Sequence, residues 1–370
     1  MKATRLCAAQ CSIPLPKPIR LGPVEITARD FVVLRLETDA GIFGDAIGYP
    51  RGSALLEEVR AAAPFFLGTD PHARRASFEH AAGRLVNARA SLLRAFSLFD
   101  IALSDIAAKS VRLPLHRMLG AVRTTIPVMA VAGYYLAERS IEDVAYEVAA
   151  LIDQGFSRCK IMLAGGDVQF DRRYAEEAGR RAIGRLAVDA HWSWRSLAEA
   201  RAGCRALDDL GLVFIEDPFG AHRNSLLREV ARSTVTPLAA GEDMPSAEAL
   251  LALTDDVSYL RVDATTVGGF TTAHAVSEAA GLVGCAVLPH VFMPIHGQLA
   301  GCSAAVEMVE HIPESTGADP MSLLLQRSPH IIDGTLVIDQ EPGAGIALDW
   351  TGVEHYAVAT YETDLRDITK

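Results

Sequence analysis

The sequence is short of aromatic residues, 6% of 370 positions with three Trp, and short of basic ones, with 35 Lys and Arg against 46 Asp and Glu. The resulting formal charge of -11 opposes unassisted contact with nucleic acid or an anionic membrane surface. No window approaches the apolar length of a membrane span, and "MKATRLCAAQCSIPLPKP" lacks the apolar core of a signal peptide. The six cysteines (Cys7, Cys11, Cys159, Cys204, Cys285, Cys302) form no CxxC pair and four sit in apolar runs. Neither disulfides nor zinc are therefore expected, and the expected setting is reducing and cytoplasmic. No GxGxxG or Walker sequence follows a first strand, which argues against a doubly wound nucleotide-binding fold. What is present is a 50% apolar chain, long enough for two domains or for one large α/β barrel with an added piece.

From Arg29 onward, "RDFVVLRLETDAGIFGDAIG" alternates apolar and polar residues on both sides of a turn at "ETDAG", which predicts two strands. Apolar residues then recur at helical spacing over Ser53 to Phe66, Ala73 to Val86 and Ser91 to Lys109. Residues 1–121 thus read as an α+β unit. After residue 122 short apolar strands alternate with amphipathic helices: "TIPVMAVA", "SRCKIML", "GRLAVDA", "LVFIEDP", "PLAAGED", "SYLRVDA", "GCAVLPH" and a short last one at "EMVE". Eight such βα repeats fit a closed parallel barrel better than an open sheet. The barrel is assigned to residues 122–328, and residues 329–370 to a segment whose strand pair, in "HIIDGTLVIDQEPGAGIALDW", returns to the N-terminal unit.

The strands finish in turn on Lys160, Asp189, Glu216, Glu242, Asp263, His290 and Glu310. In a parallel barrel these positions share one rim, where active sites of that architecture are built. Asp189, Glu216 and Glu242, from successive strands, would bring three carboxylates together. Unit charges about 4 Å apart repel by roughly 4 kcal/mol at an effective dielectric near 20, so such a cluster protonates or holds a cation. Oxygen-only ligands favour a hard divalent ion, Mg²⁺ above all.

The motifs "VDAHW", "IEDP", "AAGED", "RVDATTVGG" and "LPHVF", with "FDIALSDIAAKSVRLPLHRMLG" nearer the N-terminus, resemble the enolase superfamily, and the Asp263/His290 pair resembles its mandelate racemase subgroup. The resemblance covers nearly the whole chain. It implies an N-terminal α+β capping domain over a modified TIM barrel, (β/α)7β, with Asp189, Glu216 and Glu242 as Mg²⁺ ligands. It implies that His290, oriented by Asp263, takes a proton from the carbon next to a carboxylate. It also places Glu310 as a glutamic acid that hydrogen-bonds that carboxylate. The capping domain would contribute specificity, with Tyr49 and Arg51 as candidate substrate contacts and Arg51 reaching a distal carboxylate. Trp192 and Trp194 are read as covering the barrel rather than walling the pocket.

Within "GFSRCKIMLAGG" the strand period turns Lys160 and Met162 to one side and Cys159, Ile161 and Leu163 to the other. Relatives in the subgroup carry Lys-x-Lys here, the second lysine serving as a base opposite the histidine. This chain has Lys160-Ile161-Met162, so Lys160 is expected to attract the carboxylate while Met162 exchanges no proton. One remaining base suits dehydration, with protonated His290 helping hydroxide leave. His191, two residues after Asp189, and less strongly His296, are further acid/base candidates. The expected activity is Mg²⁺-dependent dehydration of an acid sugar or other 2-hydroxycarboxylate to a 2-keto acid. The alternatives are an epimerase, racemase or sugar-lactone cycloisomerase of the same superfamily, and a non-catalytic metal- or ligand-binding member. The expected partners are a small carboxylate substrate and further copies of the chain in a homo-oligomer, with no nucleic acid and no membrane.

Overall fold

A computed structural model describes residues 1–22 and 24–368. Two long antiparallel strands, β1 (Ala3–Leu21) and β2 (Val24–Thr38), with β3 (Phe43–Gly48), frame the N-terminal unit. β2 and β3 lie where the apolar alternation predicts strands. β1 is not legible as one, because Pro14, Pro16 and Pro18 remove ladder donors. Its pairing with β2 lapses there, breaking off at Pro14 opposite Ala28 and resuming at Ile19 opposite Ile26. The expected helices form at Leu55–Phe66, Arg74–Arg84 and Arg89–Ser110. The last packs its Ala, Leu and Phe face against β3 and against the helix Gly269–Leu282 of the second unit. A continuous apolar core therefore runs through both units.

Among the described residues, eight strands and seven helices then alternate. The strands are β4 (Thr125–Ala132), β5 (Arg158–Met162), β6 (Leu186–Asp189), β7 (Ile215–Glu216), β8 (Leu238–Ala240), β9 (Tyr259–Leu260), β10 (Ala286–Val287) and β11 (Val309–His311). Neighbours from β4 to β10 pair in parallel, β11 returns to pair with β4, and a single parallel bridge from Val287 to Val306 joins β10 to the chain entering β11. The fold is α/β, a (β/α)7β barrel under an N-terminal cap. Met129, Ala187, Phe214, Ala239, Leu288 and Met308 form a separate small apolar cluster. Each lies on or beside a different barrel strand, as the inward layers of such a barrel require.

After the barrel, β12 (His330–Ile332) and β13 (Thr335–Val337) make the expected strand pair, but β13 lies antiparallel to the start of β4. The pair thus extends the barrel sheet, whose β4 edge is open ahead of Val128, where β11 pairs. It is β14 (Ala357–Asp364) that reaches the N-terminal sheet, beside β1. The tip of the β1–β2 hairpin descends onto the barrel mouth. At Gly22, with φ +54°, a Cβ would fall 2.0 Å from the His191 carbonyl oxygen, so only glycine allows this approach. No helix among the described residues is long and apolar enough to cross a membrane.

Candidate active site

Strand register places the polar residues at one rim. Met162 pairs with Asp189 and Asp189 with Glu216 across β5, β6 and β7, while Glu242, Arg261, Asp263 and His290 follow the ends of β8, β9 and β10. Lys160 Nζ lies 2.6 Å from Glu310, 2.8 Å from Glu216 and 3.3 Å from Asp189. The side chain is 4% exposed. Burial disfavours its charge, but Glu216, Glu310 and Asp189 together hold its pKa well above the usual lysine value. Met162 lines the same cavity as Lys160, as the two-residue period predicts.

A second buried cation completes the cluster. Arg261, wholly inaccessible, donates from Nε to Glu216 Oε1 at 2.7 Å and from Nη2 to Glu310 Oε2 at 2.6 Å, and from Nη1 to the Leu288 carbonyl at 3.1 Å. The Val291 amide also donates to Glu310 Oε2. Glu310 is thereby surrounded by groups that carry protons. Burial would raise its carboxyl pKa, yet Arg261 and Lys160 overcome this and hold it well below the usual range. In this arrangement Glu310 accepts from Arg261 and the Val291 amide and pairs with Lys160.

Asp263 and His290 form the expected dyad. Asp263 Oδ1 accepts from the Thr265 amide and hydroxyl, both at 2.7 Å, and Oδ2 stands 2.9 Å from His290 Nδ1. Burial opposes the Asp263 charge, but the His290 contact and the Thr265 bond more than offset it, so Asp263 stays an acceptor. With Asp263 accepting from Nδ1, Nε2 is left to accept from the Arg51 guanidinium. Nε2 is 3.6 Å from Glu242 Oε2 and 2.9 Å from Arg51 Nη2. Arg51, from the cap, also binds Glu242 Oε1 at 2.9 Å and Asp243 Oδ2 at 2.8 Å, and Arg94 binds the other Asp243 oxygen. The Tyr49 ring stands 6.3 Å from His290 and 4.7 Å from Phe292.

The remaining candidates divide. The His191 amide donates to Asp189 Oδ1 at 2.8 Å, and its Nδ1 lies 3.2 Å from Oδ2. His296 is a packed, neutral ring: Nδ1 faces the Val291 carbonyl at 2.7 Å and Nε2 accepts from the Ala264 amide at 3.0 Å. It holds the loop of His290 in place and is taken up wholly by backbone. Trp194 covers the barrel, its ring against Gly203, but Trp192 lines the cavity and donates to Asp217 Oδ2 at 2.9 Å. It walls the pocket after all, because its left-handed backbone (φ 59°) swings the indole inward. Arg51, His191, Asp217, Val291 and Phe292 share that conformation, with φ between 37° and 48°. Strained residues gather where a site must hold groups in unusual positions.

Two further charged residues join the cluster, Asp217 and Arg261. Asp217 follows Glu216 in "IEDP", and one oxygen each of Glu216, Asp217 and Glu242 lie within 4.8 Å of one another. Burial, then Glu242 and Glu216, push the Asp217 pKa well up, and burial pushes Glu216 up to about 7. Arg261 sits two residues before Asp263, a lone cation in an apolar strand; the argument that singled out Lys160 applies to it equally. Asp189, Glu216, Asp217, Glu242 and Glu310 face three cations, Lys160, Arg51 and Arg261, so carboxylates exceed cations. The oxygen-only, anion-rich donor set, with Glu216, Asp217 and Glu242 in mutual reach and Asp189 beside Glu216, fits Mg²⁺. Beside it a cavity of about 430 Å³ is lined by Lys160, Met162, Asp189, His191, Glu242, His290 and Glu310 from the barrel and by Ile26, Arg29, Tyr49 and Arg51 from the cap.

Comparison with known proteins agrees with this geometry. Residues 5–120 match the mandelate racemase / muconate lactonizing enzyme N-terminal domain, and residues 143–352 the enolase C-terminal domain-like family. The chain is 25% identical to an L-talarate/galactarate dehydratase of Salmonella typhimurium, over 91% of this chain and 86% of that one. It is 26% identical to an L-Ala-D/L-Glu epimerase of Bacillus subtilis, over 76% and 79%. An L-talarate dehydratase from Polaromonas sp. JS666, solved with Mg and L-glucarate, superposes with a TM-score of 0.87 at 25% identity, covering 98% of this chain and 99% of that one. The chain belongs to the mandelate racemase / muconate lactonizing enzyme family of the enolase superfamily, whose members similar to it include acid-sugar dehydratases and epimerases.

Proposed function

We propose that the protein abstracts the proton alpha to a carboxylate and eliminates water from the adjacent carbon, turning a 2,3-dihydroxycarboxylate such as an acid sugar into a 2-keto acid. The observation that carries this reading is the Asp263–His290 dyad facing the carboxylate cluster, with a thioether, Met162, beside Lys160. Asp189, Glu216 and Glu242 would hold Mg²⁺, which when bound stabilises the negative charge that develops on the substrate carboxylate. Lys160 attracts that carboxylate, which takes the place Glu310 occupies against Nζ at rest. Arg261 keeps Glu216 and Glu310 fixed meanwhile. His290 accepts the alpha proton at Nε2, and Asp263 supports the imidazolium through Nδ1–H. For Nε2 to do so, Arg51 must release it, and the freed guanidinium then lies beside the reacting carbons, with Tyr49 above. The proton on Nε2 leaves with the departing hydroxyl as water, and the enol product becomes the 2-keto acid. Met162 has no proton to return, so inversion through a second lysine is closed.

A second reading, epimerisation, draws on His191, an imidazole in the cavity wall 3.2 Å from Asp189. Incubation of the Mg²⁺-loaded protein with aldonic and aldaric acids, scored with semicarbazide for 2-keto acids, tests the first reading. Silence across the library removes it. Deuterium incorporation at the alpha carbon in D₂O without keto acid would establish the second.

A further inference from the structure

We propose that Arg29 receives a second carboxylate of the substrate, so that the preferred substrate is a dicarboxylate. The inference builds on the proposed alpha-carboxylate chemistry for one end of the molecule and concerns the other end. Arg51, the arginine that the sequence pattern nominates for this task, is engaged at rest by Glu242, Asp243 and the His290 ring. Arg29, which also lines the cavity, is placed differently. Its Nε donates to the Ala318 carbonyl at 2.9 Å, and its guanidinium carbon lies 5.7 Å from the centre of the Tyr49 ring. Among the described residues no carboxylate oxygen comes within 4.0 Å of it, whereas Lys160 has three such partners and Arg51 two.

A guanidinium offers five N–H donors, and one of these is used here. Asp319 pulls on the same charge from beyond 4.0 Å, but the carbonyl and the aromatic face hold the group without a direct ion pair, which leaves Nη N–H groups for a planar anion. Arg29, Tyr134 and Lys160 line the same cavity of about 430 Å³, which can admit a small molecule that meets both cations. Val24, Ile26 and Ala28 on alternate residues of β2, together with Asp30, line the cavity from the cap side.

The test uses matched pairs on the Mg²⁺-loaded protein, glucarate against gluconate and galactarate against galactonate, read by intrinsic tryptophan fluorescence for binding, since Trp192 lines the cavity, and by 2-keto acid formation for turnover. A charged hydrogen bond to Arg29 favours the diacid by about 10- to 100-fold. Arg29→Gln should collapse that ratio toward one, and Arg29→Lys should retain part of it. A ratio near one in the wild type, or one that Arg29→Gln leaves intact, overturns the proposal. Should Arg29→Gln fail to fold by circular dichroism, the wild-type ratio and Arg29→Lys decide. Diacid-selective binding without any turnover would keep Arg29 in its role and remove the dehydratase reading. Turnover of monoacids without diacid preference would do the reverse.

Discussion

Arg261→Met is the substitution that most directly probes how the site is held together. Arg261 grips both Glu216 and Glu310, through contacts of 2.7 and 2.6 Å, with its own side chain at zero exposure. Removing one member of a buried ion pair costs about 3–5 kcal/mol, because the other charge is left without compensation. Lys160 remains on both carboxylates, which places the expected loss near the lower end, about 3 kcal/mol. The variant should therefore unfold at distinctly lower urea, followed by circular dichroism in EDTA. Because Glu216 borders the proposed metal position, excess Mg²⁺ should restore a good part of the loss, and more in the variant than in the wild type. Adding Glu310→Gln should also recover stability, since it removes one of the two stranded charges. A loss below about 1 kcal/mol, or one indifferent to both Mg²⁺ and Glu310→Gln, would refute the ion-pair account.

His290→Asn should lower alpha-proton exchange in D₂O by about 10²- to 10⁴-fold, while calorimetry finds Mg²⁺ affinity little changed; comparable exchange in the variant would remove His290 as the base. Met162→Lys places an amine beside Lys160 and should yield some alpha-epimer of the substrate, detected by NMR, at a cost in stability from a third buried cation. His311 is neutral when folded, since burial pulls its pKa down to about 4 against a slight opposing pull from Glu314. The unfolded chain takes up that proton first, so this contribution is complete above about pH 6.5 and is lost as pH falls toward about 4. His311→Asn should accordingly flatten the fall in urea midpoint between those values, and an unaltered slope would show that other groups govern it.

What was legible in the sequence follows from burial. Parallel strands covered on both faces read as apolar runs, so each polar residue at their ends stands out, and the eight runs from "TIPVMAVA" to "EMVE" coincide with β4 to β11. The ring of Lys160, Asp189, Glu216, Glu242, Asp263, His290 and Glu310 was found that way. Legibility failed where a partner is remote in the chain or a local rule is broken. The prolines of β1 hide a strand that β2 and β14 hold in place from both sides. Arg51 meets Glu242 across 191 residues, and no spacing announces such a contact. The same distance effect hides that Arg51, expected at a distal carboxylate, rests against the His290 ring.

The ion pairs also explain how so acidic a rim exists within a folded barrel. At about 4 Å and an effective dielectric near 20, each pair of like charges costs roughly 4 kcal/mol. Lys160, Arg261 and Arg51 lower that cost from three directions: the second strand of the barrel, its sixth, and the cap. The three are not equivalent. Arg261 is fixed to backbone carbonyls as well as carboxylates, and nothing in the proposed reaction needs it to move. In the proposed reaction Lys160 and Arg51 stand where a substrate carboxylate and the alpha carbon arrive, so their present partners would be the contacts that binding replaces. Arg51 reaches the base from a left-handed residue followed by Gly52 at φ 80°, a loop conformation that the cap must sustain. In the proposed reaction, release of His290 Nε2 by Arg51 and admission of substrate go together, and Arg51→Ala should change the rate of alpha-proton exchange while leaving the Asp263–His290 bond intact.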